Sequence, residues 1–366
     1  MNIKNPPRAL VCPLDWGLGH ATRDVKIIHG LIANGFEVII GADNAPLFFL
    51  RENFPDLKFI RLPSAKISYP VKGSMTLKML FSIPVILKGI IREHFLLKKI
   101  IREFGIQVVI SDNRYGLWNK NVYSVFITHQ VFIQTPFKWN WPGILLNKMN
   151  AWFISKFNEC WIPDLPGNKN LSGILSHKNK LPVNHHFIGI LSRFEVSLNE
   201  KSLHDLLIPD ILVILSGPEP QRSILENIIV RQLQQTSYKA IIIKGKPGES
   251  EINENENITF YNHLPTAELK SLIVKSPVVI CRSGYSTIMD LVVLQKTVIL
   301  IPTPGQTEQE YLAGYMKERN WFYTINQKEF ILQESINQLS KYRVPDLEVI
   351  NTGLTERISR LKSIIG

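Results

Sequence analysis

Apolar positions in this chain fall into short continuous runs, each closed by a turn and followed by a stretch of helical spacing. After a polar start from Met1 to Arg8, the run Ala9 to Pro13 reads as a buried strand, and a loop with Gly17 and Gly19 leads into a helix from about His20. Gly35 stops that helix and Phe36 to Gly41 follows as a strand, which makes a βαβ opening. Further strands are expected at Lys58 to Leu62, Val108 to Ser111 and Ser124 to Thr128, with helical stretches between them. After the segment Pro182 to Glu195 the pattern starts over. Strands Ile211 to Leu215, Lys239 to Lys244, Ile258 to Tyr261, Val278 to Cys281 and Thr297 to Ile301 alternate with helices near Ser223 to Gln235, Thr266 to Val274, Tyr285 to Leu294 and Thr307 to Arg319. An acidic, Asn-rich loop is expected after Lys244, and a last helix, about Leu347 to Ile365, can pack on either domain. The expected division is therefore 1–190 and 191–345, two doubly wound α/β domains with parallel sheets, and 346–366, a terminal helix. Open sheets of this kind bind ligands beyond the carboxyl ends of their strands, so the cleft between the domains is the place to look.

Composition agrees with two globular domains: 366 residues, 45% of them hydrophobic and 20% charged. No apolar run reaches the roughly 18 residues of a membrane span, which leaves secretion and spanning readings weak. Cys12, Cys160 and Cys281 are odd in number, far apart and without metal-ligand spacing, as expected for reduced core residues of a cytoplasmic protein. No metal site is expected. The net charge of +11 is lopsided: residues 1–190 hold 23 Lys/Arg against 11 Asp/Glu, and the remainder holds 19 against 20. The first half is thus expected to face something anionic: a membrane surface, a phosphorylated acceptor or nucleic acid. Nucleic acid is the weakest of these, because no recognition module accompanies the charge. Between Lys66 and Phe104, eight Lys/Arg and two Glu are set among apolar residues. Basic amphipathic helices that lie on an anionic membrane read this way, and so does a pair of core helices with solvated outer faces. Trp139, Trp141, Trp152 and Trp161 suit a lipid acceptor, an acceptor cleft or the core.

Two loops carry candidate chemistry. The strand ending at Cys281 runs through Arg282-Ser283-Gly284 into a helix beginning at Tyr285, and a helix N-terminus with free N–H groups and a positive dipole end suits a diphosphate. Asp290, two turns in, can reach ribose hydroxyls; Ser283 acting only as a helix cap is the plain alternative. The next loop, Pro302 to Gln306, delivers Glu308, Gln309 and Glu310 to the same edge, where amides and carboxylates suit sugar hydroxyls.

Ser283-Gly284 with Asp290, followed by Gln309-Glu310, resembles the carboxyl-terminal domain of glycosyltransferase family 28, and Gly17-Leu18-Gly19-His20 resembles that family's amino-terminal glycine loop. The resemblance implies the GT-B fold, two Rossmann-like domains facing across a cleft, with an acceptor-side first domain and a second domain that binds a UDP-sugar. It implies no catalytic metal and no cofactor beyond the donor. It places Gly17 and Gly19 by the donor, Ser283, Gly284 and Tyr285 near the diphosphate, Ser216 and Gly217 in a second phosphate-side loop, Asp290 on the ribose, Gln309 and Glu310 on the sugar, and His263 and Leu264 at the base. The chain departs from the family in having fewer glycines in both phosphate loops and in Asp290 and Glu310, where Glu and Gln are usual.

Inverting transfer needs a base for the acceptor hydroxyl, and His20 stands where the base belongs. Asp112, ending a buried strand, is the expected partner for its ring, as in other inverting GT-B enzymes. Arg114 and His129 are secondary candidates. The expected activity is transfer from a UDP-sugar, UDP-N-acetylglucosamine among them, to a lipid-linked or glycan-precursor hydroxyl at the inner face of a membrane. A nucleotide-sugar 2-epimerase and a non-catalytic sugar-nucleotide-binding subunit stay open as alternatives.

Overall fold

The computed structural model describes residues 6–64, 75–135, 140–178, 180–195, 207–248, 252–255, 257–347 and 352–365. The first sheet contains β1 (Arg8–Pro13), β2 (Glu37–Ala42), β3 (Lys58–Arg61), β4 (Val108–Asp112), β5 (Tyr123–Ile127), β6 (Glu159–Ile162) and β7 (His185–Phe187). Its order is β3-β2-β1-β4-β5-β6-β7, parallel throughout, so the strand order reverses direction between β1 and β4. The period of two along each strand divides its side chains between the faces. Ala9 and Val11 join a core under α1 (Leu18–Ala33) and α2 (Asn44–Asn53), whereas Leu10 and Cys12 pack with Leu97 and Ile100 of α3 (Met75–Phe104). The helix α4 (Asn140–Ile154) covers the β5–β6 end of that second face.

The second sheet contains β8 (Ile211–Ile214), β9 (Ala240–Ile243), β10 (Ile252–Asn255), β11 (Ile258–Tyr261), β12 (Val278–Cys281), β13 (Ile299–Leu300) and β14 (Tyr323–Thr324), in the order β10-β11-β9-β8-β12-β13-β14. Only β10 is antiparallel among the described strands. The helices are α5 (Gln221–Leu233), α6 (Thr266–Lys275), α7 (Tyr285–Val293), α8 (Thr307–Glu318) and α9 (Leu332–Gln338). The fold is α/β with two Rossmann-like parallel-sheet domains, and their apolar interiors meet in one cluster that holds Val25 and Ile28 of α1 together with Ile288 and Met289 of α7.

Several expectations change here. The acidic, Asn-rich loop after Lys244 includes the edge strand β10. The strands β6, β7 and β14 were not expected at all. Residues 65–74 of the basic segment and Trp139 lie outside the described residues, as does the side chain of Trp141, but from Met75 the segment is one 30-residue helix rather than a pair. Trp161 is core, its indole donating to Glu159 Oε2 at 2.7 Å, and Trp152 is exposed. The last helix, α10 (Thr352–Ile365), packs on α1 of the first domain, with Leu354, Ile358 and Leu361 buried in the shared core. All three cysteines are free and buried, and burial pushes each thiol up to about 12.

Candidate functional site

The reversal between β1 and β4 brings the loop after Pro13 and the end of β4 together at one edge, and α1 begins there with no side chain capping it. His20, in its first turn, places Nδ1 3.0 Å from Oδ1 of Asp112, the last residue of β4. Asp112 is fully buried, while His20 keeps 19% of its side chain exposed, so the ring links a buried carboxylate to the cleft. One turn along the same face of α1, Arg23 donates from Nε to Asp112 Oδ2 at 2.6 Å and from Nη2 to Asp112 Oδ1. Burial favours a neutral Asp112, but the Arg23 guanidinium and His20 outweigh it and hold the carboxyl well below the usual range. Arg23 also places Nη2 2.9 Å from His20 Nδ1 and Nη1 3.2 Å from Nδ1 of His129, just beyond β5. The neighbouring Asp24 is fully buried, neither oxygen has a hydrogen-bond partner among the described residues, and burial followed by the Asp112 charge pushes its carboxyl well up, toward the neutral form.

The second domain closes over this cluster. His129 Nε2 lies 2.7 Å from Glu308 Oε1 in the first turn of α8, and Gln130 Nε2 donates to Glu308 Oε2. The His129 ring stacks on Tyr285 at the start of α7, with centroids 4.1 Å apart and planes 4° apart. Ser286 Oγ donates to Gly19 O at 2.6 Å, so the N-termini of α1 and α7 meet across the cleft. A Cβ on Gly19 would stand 3.3 Å from that hydroxyl oxygen, which is why the contact suits a glycine.

The expected donor residues lie on the second-domain side, and several turn inward. Ser283 is buried and donates to Gln309 O at 3.0 Å instead of capping α7, whose N-terminus no side chain caps. Gln309 is buried as well, with Oε1 accepting from Thr303 N at 2.9 Å; Glu310 Oε1 accepts from Gly305 N at 2.8 Å. These side chains shape their loops and leave backbone groups for a ligand. Asp290, expected on a ribose, instead meets the chain that joins the domains. It accepts from Ser192 Oγ at 2.5 Å and lies 3.6 Å from Arg193 Nε, and burial pushes its carboxyl up to about 6. Tyr285 donates its hydroxyl to Pro163 O at 2.8 Å. Gly284 leads into α7 with ordinary backbone angles. Ser216 is exposed, and Gly217 takes a left-handed φ of 93° that favours glycine. Leu264 is buried, and His263 Nε2 lies 3.3 Å from Glu52 of α2, on the far flank of the same cleft. Gly17 is the residue from which α1 departs.

Arg114 is structural. Asn113, left-handed at φ 59°, turns the chain so that the Arg114 guanidinium is buried against Glu93 and the carbonyls of Leu62 and Pro63. Sequence reasoning gave His129 too little weight and passed over Arg23; the signal was the His20-x-x-Arg23 spacing, which puts both on one helical face.

Residues 213–352 match the glycosyltransferase family 28 C-terminal domain. A UDP-N-acetylglucosamine--N-acetylmuramyl-(pentapeptide) pyrophosphoryl-undecaprenol N-acetylglucosamine transferase of Sulfurihydrogenibium sp. (strain YO3AOP1) is 26% identical over 147 residues, 40% of this chain and 42% of that protein. The transferase of the same name from Prochlorococcus marinus (strain MIT 9301) is 26% identical over 163 residues, 40% of this chain and 44% of that one. The chain thus spans about two fifths of the length of the curated relatives it matches. Among solved structures, the glycotransferase of kitacinnamycin superimposes with a TM-score of 0.63 at 13% identity, covering 99% of this chain and 95% of the other. The glycosyltransferase SnogD from Streptomyces nogalater gives 0.57 at 13% identity, covering 98% and 95%. Such identities speak for the fold, which is GT-B, and the match over 213–352 adds that the second domain is similar to the glycosyltransferase family 28 C-terminal domain.

Proposed function

We propose that the protein is an inverting glycosyltransferase which, without a metal ion, moves a sugar from a UDP-sugar to an acceptor hydroxyl. The observation that carries this reading is the His20–Asp112 pair at the strand reversal of the first sheet, facing the N-terminus of α7 in the family 28 domain. With Nδ1–H donated to Asp112, and Arg23 Nη2 donating to the same carboxylate oxygen and not to the ring, Nε2 is the nitrogen that takes a proton. In the proposed step the acceptor hydroxyl gives its proton to His20 Nε2 while its oxygen bonds to the anomeric carbon. The bond from that carbon to the β-phosphate oxygen breaks, and its electron pair leaves with UDP. The departing diphosphate would lie where α1 and α7 converge, since both helix N-termini present positive dipole ends there. Gly17, Gly19, Ser216, Gly217, Ser283 and Gly284 would approach it through backbone groups. His263 and Leu264 would flank the base, and Gln309 and Glu310 would hold the loop that faces the sugar.

UDP-N-acetylglucosamine is the first donor to try, because the two transferases matched in sequence are named for it. Their names also specify a polyprenol-linked acceptor, and this chain has a surface suited to lipid. On α3, Val85, Leu87, Ile91 and Phe95 are exposed beside Lys88, Arg92 and Lys99; on α4, Ile144, Leu145 and Trp152 are exposed beside Lys148. The two helices cover the same face of the first sheet. Among the described residues no helix is long and apolar enough to cross a membrane, so the proposed association is peripheral, at the inner face.

Thermal shift against UDP, UDP-N-acetylglucosamine, UDP-glucose and UDP-galactose tests the donor assignment, because a ligand bound only by the folded state raises its stability. No shift with any of them at about millimolar concentration would overturn it. Sedimentation with phosphatidylglycerol vesicles at low salt tests the lipid-facing surface, and protein that stays in the supernatant would point to a soluble acceptor. Product analysis separates transfer from epimerisation.

A further inference from the structure

The Asp112 carboxylate is shared. Arg23 Nη2 and His20 Nδ1 both reach Oδ1, while Arg23 Nε takes Oδ2. Its negative charge is therefore already matched by a guanidinium that also stands 2.9 Å from the imidazole. An imidazolium formed at His20 would sit against that cation, with Asp112 largely committed elsewhere. Another negative charge is needed, and the groups facing the cluster identify it. From α1 come Arg23 and Asp24; Asp24 is buried and driven toward its neutral form. Asp112 comes from β4, and His129 and Gln130 follow β5. Tyr285 and Ser286 of α7 bring no charge at neutral pH. Among the described residues, only α8 adds a charged carboxylate, that of Glu308.

The proton positions along this path follow from what each group can do. Arg23 can only donate, so His129 Nδ1 accepts from Nη1, and His129 Nε2–H then donates to Glu308. Burial, against the pull of Glu308, lowers His129 toward the neutral ring. Glu308 moves down despite its burial, mainly through His129, and is ionised. His129 is thus a neutral bridge between a cation in the first domain and an anion in the second.

Building on the base assignment made above, we infer that Glu308 is a positioning residue of the second domain that supplies, through His129 and Arg23, the negative charge that stabilises His20 as it takes the acceptor proton. Closure of the cleft delivers this charge, because Glu308 and His129 sit in different domains. Proton transfer to His20 is thereby tied to the arrival of the donor-binding half.

The test needs no acceptor. Protein carrying labelled histidine is saturated with UDP, and the His20 ring is titrated by NMR, its resonances assigned from His20→Ala. Glu308→Gln keeps the size and an acceptor oxygen but removes the charge; it is expected to lower the His20 titration midpoint by on the order of half a pH unit or more. Glu308→Asp, which keeps the charge, is expected to restore most of the midpoint. Glu318→Gln, at the exposed far end of α8, is expected to leave it unchanged. A midpoint in Glu308→Gln equal to wild type overturns the inference, and so does an equal fall in the Gln and Asp variants, which would make geometry rather than charge the cause. UDP release from UDP-N-acetylglucosamine with water as acceptor separates the two levels of the argument. Turnover that survives in His20→Ala removes the base assignment; turnover lost in His20→Ala with an unmoved Glu308→Gln midpoint removes only the role of Glu308.

Discussion

The two halves of the cleft are built on different principles. On the first-domain side, charged and ionisable side chains point at one another: His20, Arg23, Asp112 and His129 touch within hydrogen-bonding distance around a fully buried carboxylate. On the second-domain side, the residues that mark the family turn away from the cleft. Ser283 and Gln309 tie two loops to each other, and Asp290 holds the chain that joins the domains. One half offers side-chain chemistry; the other offers backbone and helix ends, kept in place by side chains. Loss of the proton-accepting side chain in the first half should therefore appear in the rate, whereas loss of a buried partner, in either half, should appear first in stability.

The largest effect is expected from His20→Ala. Transfer should fall by roughly 10²–10⁴-fold, the usual range for loss of a general base. UDP affinity, measured by calorimetry, should change by no more than about two-fold, since binding in common to ground and transition states is untouched. A large loss of UDP affinity would blur the division between the halves. Arg23→Leu removes one partner of a buried ion pair and leaves Asp112 without its main compensation. Urea denaturation should show a loss of about 3–5 kcal/mol. If the loss were below about 1 kcal/mol, the pair would be behaving as a solvated surface contact.

Asp290 sharpens the comparison through pH. Its carboxyl is pushed up to about 6 by burial, so the folded state holds the proton more tightly than the unfolded chain does. The stabilisation this gives is complete below about pH 4 and is lost as the pH climbs through about 6, a swing on the order of 3 kcal/mol. The stability of wild type minus that of Asp290→Asn should fall over this window and level off above it. A flat difference would mean that Asp290 is ionised throughout and free to serve a ligand. The smallest effect is expected from Ser283→Ala, which gives up its bond to Gln309 O. Stability should drop by about 1 kcal/mol and UDP affinity by less than about three-fold. A collapse of UDP affinity at unchanged stability would restore Ser283 as a direct ligand contact.

Much of the fold could be read because parallel strands buried on both faces are continuous apolar runs: Val278 to Cys281 and Ile258 to Tyr261 were located to the residue. Short or one-sided strands carry less signal. In β14 only two residues pair, and β10, polar and at an edge, reads as loop. His20 could be singled out from the glycine loop after the first strand and its likeness to the family, and Asp112 from the end of a buried strand, whereas Arg23 could not. An arginine one turn into a helix reads as a solvated face unless its partner is known, and the partner is 89 residues away. The contacts of Asp290 could not be read for the mirror reason. Its spacing from Ser283 was correct, but the joining segment that takes up its carboxylate is close in space and remote in sequence.

The placement of α10 bears on how the molecule opens. Because this helix returns to α1 after the second sheet is complete, the backbone crosses between the domains twice, once near Ser192–Arg193 and again between α9 and α10. The joints run close together: Asp290 grips the first, and Gln295 Nε2 donates to Pro345 O of the second at 3.3 Å. Two adjacent tethers act as the spine of a book and not as a ball joint, allowing the halves to swing about one axis while resisting twist. Each swing then returns the two covers to the same register, so a side chain on one page meets the same counterpart on the facing page every time the molecule shuts.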